Sequence, residues 1–200
     1  MAPGWGSGRP SGGRRRLDAA TPEPREPAGP PADPVDVARQ ICLHQLEHAP
    51  RTRAELAAVL AKRGVPAEAA DQVLGRLTEV GMIDDALFAE MWVTSRHRGR
   101  GLAGRALSQE LRRKGVDEEL VRDAVDTLEP EQELATAREL VARRLPATRH
   151  LEPQARVRRL AGLLARKGYP AGLAFRVVRE ALAQEGVEAD LEAVLLEADD

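Results

Sequence analysis

The stretch LRRKGV at residues 111–116 decides the fold, because the same pattern occurs three times along the chain. It returns as LAKRGV at residues 60–65 and as LARKGY at residues 164–169. A glycine directly after a helix is the favoured left-handed cap, and basic side chains in the last turn offset the negative end of the helix dipole. The stretch therefore predicts a helix end that the chain uses three times.

Apolar residues at helical spacing surround each of these helix ends. Two leucines four residues apart precede the glycine of every copy and lie on one face of a helix. A further apolar helix pattern follows each copy, and another one precedes it. Thr52 and Glu55 predict a capping box, and Pro130 stands at a favoured first-turn position. The sequence thus predicts an all-α protein of about nine helices, arranged as three tandem three-helix repeats that stack into an elongated array.

The two ends of the chain differ from the repeats in composition. Residues 1–34 are rich in Pro, Gly, Ser and Arg without apolar periodicity, and we expect a disordered tail there. Residues 185–200 are acidic, and predict either a helix that caps the last repeat or a tail lying over a basic surface. The spacing of Leu191, Val194 and Leu195 favours the capping helix. The repeats themselves are predicted to cover residues 35–83, 84–129 and 130–184.

Composition excludes several classes of protein. The chain has 200 residues, a formal net charge of −2 and one cysteine, Cys42, so it forms no intramolecular disulfide. No apolar run has the length of a transmembrane helix, and no export signal follows the arginines near the N-terminus, so we expect a cytoplasmic protein without membrane contact. Aromatic residues make up only 2%, too few for a surface on which bases stack. We expect four of the five aromatic residues to lie in the core: Phe88, Trp92, Tyr169 and Phe175.

The sequence carries no pattern typical of catalysis or of cofactor binding. There is no glycine-rich phosphate loop and no evident Ser-His-Asp or Cys-His arrangement, so we expect neither an enzyme nor a cofactor. His44 and His48 lie one turn apart with Cys42 nearby, but a metal site needs a third convergent ligand. Cys42 and His44 point in different directions on a helix. We therefore expect an ordinary helix surface there and no metal.

Charge is segregated along the chain, although the total is nearly neutral. Basic residues dominate segments 96–114 and 138–179, and acidic residues dominate 115–137 and the C-terminal end. Such blocks predict separate positive and negative surfaces. The run RHRGRG at 96–101 reads as a connector between two helices of the second repeat. The predicted anion-facing set is Arg96, Arg98, Arg100, Arg105, Arg112, Arg113, Arg158, Arg159 and Arg166. Lys114 and Lys167 are interpreted mainly as helix-end charges.

Three segments together resemble a known family. RTRAELAAVLAKRGV at 51–65, VGMIDDALFAEMWVTSR at 80–96 and GRALSQELRRKGV at 104–116 are similar to the bacterial regulatory protein family RecX. The resemblance covers about residues 35–182. The combination of the helix-end element, the G-x-I-D-D-x-x-F-A segment and the arginine-rich run carries the likeness. The N-terminal tail and the acidic C-terminal end depart from the family pattern, and the third repeat is the least similar.

The resemblance implies a fold and a partner. RecX proteins are tandem three-helix repeats that bend into a crescent and lodge along the groove of the RecA recombinase filament. They inhibit its ATP hydrolysis, strand exchange and coprotease activity, which restrains recombination, DNA repair and the SOS response. By resemblance, we expect this chain to bind the RecA filament. Nothing in the sequence demands a dimer, so we expect a monomer. Contact with single-stranded DNA would run through phosphates, and would be weak and salt-sensitive alone.

Two other functions remain open at this point. A helix-turn-helix protein acting on genes would need a recognition helix, and the best candidate, 67–79, offers only Gln72 and Arg76 for base contacts. A helical protein–protein adaptor would bind its partner without nucleic acid. The adaptor hypothesis predicts that replacing Arg105, Arg112 and Arg158 by alanine leaves partner binding largely intact.

Overall fold

A computed structural model describes the backbone of residues 33–198 and the side chains of residues 33–186, and these residues belong to one compact unit. This part of the chain contains nine α-helices and no strand, which confirms the all-α prediction. A short 3₁₀ turn at Pro146–Thr148 follows the seventh helix. The helices are α1 (Pro34–His48), α2 (Arg53–Lys62), α3 (Ala67–Glu79), α4 (Asp85–Arg100), α5 (Gly104–Arg113), α6 (Glu118–Asp126), α7 (Pro130–Arg144), α8 (Pro153–Arg166) and α9 (Ala171–Ala198).

The helices group into three repeats of three, as the sequence predicts. Repeat 1 comprises α1–α3, repeat 2 comprises α4–α6, and repeat 3 comprises α7–α9. Every extensive helix–helix contact among the described residues joins helices of the same repeat. Each repeat buries its own apolar cluster, with the paired leucines of its middle helix almost fully enclosed. A repeat therefore has its own core, and consecutive repeats meet over a smaller area.

Local sequence signals explain where the helices begin. Thr52 accepts a hydrogen bond from the backbone N–H of Glu55, and the Glu55 carboxylate accepts one from the backbone N–H of Thr52. This confirms the predicted capping box of α2. Asp84 caps α4 by accepting from the backbone N–H of Leu87, and Pro130 occupies the first turn of α7.

The repeated stretch ends the middle helix of every repeat in the same way. Gly64, Gly115 and Gly168 all have positive φ angles, between 75° and 91°, which side chains with a Cβ rarely adopt. In repeat 2 the N–H of Gly115 donates to the carbonyl of Arg112, and the N–H of Val116 donates to that of Leu111. These two bonds satisfy the last carbonyls of the helix. The predicted helix end is confirmed in all three repeats.

The same stretch also joins one repeat to the repeat before it. Gly115 lies against Ala54 in the first turn of α2, and the Thr52 hydroxyl donates to the Lys114 carbonyl at 2.7 Å. The Lys114 Nζ donates to Glu55 at 2.7 Å and lies 4.3 Å from the Trp92 ring centroid. Lys114 is therefore a junction residue of repeats 1 and 2, more than the helix-end charge that the sequence suggests.

Repeats 2 and 3 meet through equivalent positions. Gly168 lies against Ala106 in the first turn of α5, and the N–H of Ala103 donates to the Lys167 carbonyl at 2.9 Å. The buried Tyr169 hydroxyl donates to the Gly101 carbonyl at 3.2 Å. Burial, with a smaller contribution from the Glu133 carboxylate, raises the pKa of Tyr169 well above its usual range. The helix end of one repeat is thus the docking element for its predecessor.

Some sequence interpretations were wrong. The run at 96–101 is no connector, because α4 continues to Arg100 and ends at Gly101 in the left-handed region. Phe175 is exposed rather than in the core, since it lies on the outer face of α9. The prediction that Cys42 and His44 point in different directions is confirmed, because Cys42 is fully buried and His44 is exposed.

The structure describes only part of the two chain ends. Of the predicted disordered tail at 1–34, residues 1–32 fall outside the described residues. At the other end the backbone of α9 continues as one helix to Ala198, so residues 185–198 are helical. The Glu185 carboxylate bonds to Arg149 and Arg156, and these hydrogen bonds lower its pKa. The side chains predicted to cap the repeat lie outside the described ones.

Candidate anion-binding surface

The last turn of α4 carries basic side chains on one side and a buried imidazole on the other. His97 is only 3% exposed, and its Nδ1 lies 2.8 Å from the Leu102 carbonyl. Because a carbonyl only accepts, Nδ1 carries a proton, and the Nε2 lies within hydrogen-bond distance of the Thr136 hydroxyl, at 2.9 Å. Thr136 belongs to α7, so His97 ties the end of α4 to repeat 3 and fixes the direction of its neighbours.

Arg98 and Arg100 line an open depression of about 620 Å³ between α4 and α7. We call this depression the α4–α7 cleft. Two further cations, Arg143 and Lys167, line it, whereas Glu139 is its single carboxylate. The Lys167 Nζ donates to the Arg100 carbonyl and so joins the end of α8 to the end of α4. The excess of positive charge in a concave site favours an anionic ligand.

Arg105 and Arg166 line a second depression, of about 350 Å³, on α5 and α8. We call it the α5–α8 cleft. Gln109 and Tyr169 contribute to its lining, and no acidic residue does. The two arginines come from different repeats, and the Gly168–Ala106 contact holds them at a fixed separation. The junction of repeats 2 and 3 therefore carries a basic cleft formed by α4 and α7 and another formed by α5 and α8.

The basic side chains of the two clefts have no acidic partner among the described residues. Salt bridges in this part of the chain involve other arginines, such as Arg138 with Glu180 at 3.0 Å. Arg98, Arg100, Arg105 and Arg166 are exposed, and none of them lies within 4.0 Å of a described carboxylate. An arginine left without an intramolecular partner keeps its donors available for a ligand.

Two members of the predicted set have structural partners instead. Arg96 stacks over Trp92 at 4.1 Å and lies 3.7 Å from Glu110, which also accepts from the Trp92 indole N–H. Arg112 donates two hydrogen bonds to Glu118. This pair raises the pKa of Arg112 and lowers that of Glu118. Arg96 is therefore held by the fold, and the charge of Arg112 is compensated.

The remaining predicted residues are exposed but lie outside both clefts. Arg113 stands at the end of α5, and Arg158 and Arg159 lie along α8. The structure thus brings together four of the nine predicted arginines at one junction. Sequence reasoning missed Arg143, and interpreted Lys167 mainly as a helix-end charge. The spacing of the repeats could have indicated Lys167, because every repeat places a basic residue directly after its middle helix.

Family comparisons agree with the repeat structure. The first, second and third three-helix domains of RecX match residues 38–77, 84–125 and 131–178 respectively. The chain belongs to the RecX family. A regulatory protein RecX from Thermobifida fusca is 60% identical over 167 residues, covering 82% of this chain and 90% of that protein. The RecX of Streptomyces coelicolor is 58% identical over 165 residues, covering 82% of this chain and 88% of that protein.

Solved RecX structures share the fold. The crystal structure of RecX from Lactobacillus salivarius aligns with a TM-score of 0.69 at 18% identity, covering 74% of this chain and 97% of that one. A second RecX crystal structure aligns with a TM-score of 0.67 at 23% identity. The RecX relatives are named as regulatory proteins rather than as enzymes. In the part of the chain that the structure describes, no helix is both long and apolar enough to span a bilayer.

Proposed function

We propose that the protein binds the filament of a RecA-type recombinase on single-stranded DNA. It inhibits ATP hydrolysis, strand exchange and coprotease activity of the filament, and so restrains recombination, DNA repair and the SOS response. It acts in the cytoplasm as a monomer and needs no cofactor for this task. Membership of the RecX family supports the partner, and the two basic clefts support the mode of contact.

The observation that carries the proposal is the pair Arg105 and Arg166. Both residues line one cleft whose lining includes no acidic residue, so no carboxylate of the cleft compensates their charges. An anion bound in the cleft would compensate these charges and accept hydrogen bonds from the guanidinium groups. A phosphodiester backbone offers such anions at regular spacing, and guanidinium groups suit phosphate oxygens geometrically. Phosphate contacts position a protein without reading sequence, as a filament regulator requires.

The α4–α7 cleft extends the basic surface to a second part of the same junction. Arg98, Arg100 and Arg143 line it, with Glu139 as the one opposing charge. A filament presents DNA phosphates beside acidic protein side chains, and a cleft with excess positive charge can bind either. Contact with naked single-stranded DNA would then use only part of the surface, and would be weak and salt-sensitive.

The test measures recombinase ATP hydrolysis on single-stranded DNA at physiological salt, with the full chain titrated in. The cleft variant is Arg105→Ala with Arg166→Ala. The matched control is Arg39→Ala with Arg76→Ala, because these arginines are also exposed but lie in repeat 1 and pair with Asp36 and Glu79. We expect the wild type and the control to suppress hydrolysis equally. The cleft variant should need at least ~10-fold more protein, since each charged hydrogen bond contributes about 1.5–3 kcal/mol.

Other outcomes would contradict parts of the proposal. If the wild type leaves an active recombinase unaffected, the regulatory function is wrong. The basic clefts are not needed if both the cleft variant and the variant Arg98→Ala with Arg100→Ala inhibit as well as the wild type. The protein would then be an adaptor that binds its partner through another surface. A helix-turn-helix function has less support, because Arg76 of the candidate helix α3 is paired with Glu79 at 3.1 Å.

A further inference from the structure

The last turn of α1 brings two imidazoles and one carboxylate to the same helix face. His44, Glu47 and His48 are exposed, and the ligand atoms that they offer lie within 4.8 Å of one another. The His44 Nδ1 is 3.9 Å from the Glu47 Oε2. The two imidazole centroids are 4.7 Å apart, with ring planes at 71°. Spacings of three and four residues produce this convergence, because such residues are neighbours on a helix.

A hydrogen bond fixes the tautomer of one imidazole. The His48 Nδ1 lies 2.7 Å from the His44 carbonyl oxygen. Because a carbonyl only accepts, this nitrogen carries the proton, and the Nε2 of the neutral ring keeps its lone pair. Histidines that bind metals in proteins usually have their other ring N–H held by a carbonyl or carboxylate in this manner, which orients the ring and raises its basicity.

We propose that His44, Glu47 and His48 bind one divalent transition-metal ion, with Zn²⁺ as the ion of best fit. Two imidazole nitrogens and one carboxylate oxygen form a donor set that zinc accepts, with the fourth position left to water. Ligand atoms lie about 2.0–2.2 Å from zinc, so two of them in a tetrahedral site are about 3.3–3.6 Å apart. The three ligand atoms already lie within 4.8 Å of one another, and rotation of the exposed side chains about their χ angles would bring them to that separation.

The position on the helix also favours a cation. His48 is the last residue of α1, where the helix dipole places partial negative charge. Nearby Cys42 is not a competing ligand, because it is fully buried and burial raises the pKa of its thiol. The site lies in repeat 1, whereas both basic clefts lie at the junction of repeats 2 and 3. Metal binding is therefore independent of the proposed filament contact.

The experiment titrates ZnCl₂ into the full chain, free of any polyhistidine tag, by isothermal titration calorimetry. We expect one equivalent of bound zinc in the wild type. His48→Ala should lower the affinity by at least the ~10- to 100-fold that the loss of an outer partner costs a metal site. His150→Ala is the matched control, because His150 is an exposed histidine outside the cluster, and its isotherm should equal that of the wild type. MgCl₂ should give no binding, since Mg²⁺ prefers all-oxygen ligands.

A second variant keeps the proposal falsifiable. His44→Ala with His48→Ala removes both imidazoles from an exposed face, so the helix content in circular dichroism should stay that of the wild type. The proposal is overturned if this double variant binds zinc with unchanged stoichiometry and affinity, or if the wild type binds none. Glu47→Gln distinguishes a three-ligand site from a histidine pair. A lower zinc affinity of this variant supports the carboxylate ligand, and an unchanged affinity removes Glu47 from the site.

Discussion

Gly168 lies so close to Ala106 that a Cβ added to the glycine would be 2.6 Å from the Ala106 backbone nitrogen. Gly115 holds the same relationship to Ala54, one repeat earlier. Gly64, the corresponding residue of repeat 1, has no atom within 4 Å of such a Cβ. The glycine of the repeated stretch therefore has two roles in repeats 2 and 3, as a helix end and as a contact surface, and only the first role in repeat 1.

Gly168→Ala should destabilise the protein more than Gly64→Ala. Both substitutions place a Cβ at positive φ, which costs about 1–2 kcal/mol. Only Gly168→Ala adds a clash with backbone atoms that cannot move out of the way. Urea unfolding followed by circular dichroism gives the two free energies of unfolding. Equal losses in the two variants would show that the close contact contributes nothing to the junction.

Gly115→Ala should be partly rescued by Ala54→Gly. The nearest atom to the added Cβ is the Ala54 Cβ, and the Ala54 backbone lies 3.8 Å away. Removing that methyl group relieves the clash, so the loss of unfolding free energy in the double variant should be smaller than the sum of the single losses. The same design at Gly168 and Ala106 should rescue less, because the clash there includes a backbone nitrogen. Strict additivity at Gly115 and Ala54 would contradict the packing described above.

Alkaline pH should weaken the junction of repeats 2 and 3 through Tyr169. Burial raises the pKa of this phenol above its unfolded value of about 10, so the neutral form is favoured in the folded protein. Its contribution to stability is complete below pH 10 and is lost as pH rises toward the folded pKa. Because the chain has one tyrosine, tyrosinate absorbance reports this residue alone.

Tyr169→Phe provides the comparison for that measurement. The variant should lose about 0.5–1.5 kcal/mol near neutral pH, with the hydrogen bond to the Gly101 carbonyl. Its unfolding free energy should then fall less steeply than that of the wild type above pH 10. A wild-type tyrosinate transition near pH 10 in the folded protein would mean that the phenol is solvated.

Removing the cleft arginines should change the salt dependence of binding to single-stranded DNA. Each phosphate contact contributes about 0.7 to the slope of log K against log salt concentration on single strands. Arg105→Ala with Arg166→Ala should therefore lower the slope by about 1.4, if each arginine binds one phosphate. Fluorescence anisotropy with a labelled oligonucleotide measures the slope, with Arg39→Ala and Arg76→Ala as the control. An unchanged slope would place the DNA contact away from the α5–α8 cleft.

The repeat architecture was predictable because its signals are local. The paired leucines before each glycine, the capping box at Thr52 and Glu55, and Pro130 all act within one turn of a helix. The continuation of α4 through Gly99 to Arg100 was missed, because two glycines and three arginines in six residues are typical of a loop. Packing of His97 against repeat 3 outweighs that local preference.

The candidate site was only partly predictable, because it depends on contacts between repeats. Sequence identifies which arginines face away from the core, but it does not show whether a carboxylate lies opposite them. Arg105 and Arg112 look equivalent along α5, yet Glu118 compensates only Arg112. Glu47 was overlooked beside His44 and His48 for a similar reason, since its convergence depends on side-chain directions.

Repeats 2 and 3 each contact the preceding repeat through the end of their middle helix, so whole repeats can be added to the chain by gene duplication. A newly inserted copy would bring its own glycine to contact the preceding unit, and the first turn of its middle helix to receive the following one. The interior of each unit would need little change, because its apolar cluster is formed almost entirely by its own helices. Family members of different length could therefore arise by gain or loss of whole units while the remaining units keep their cores.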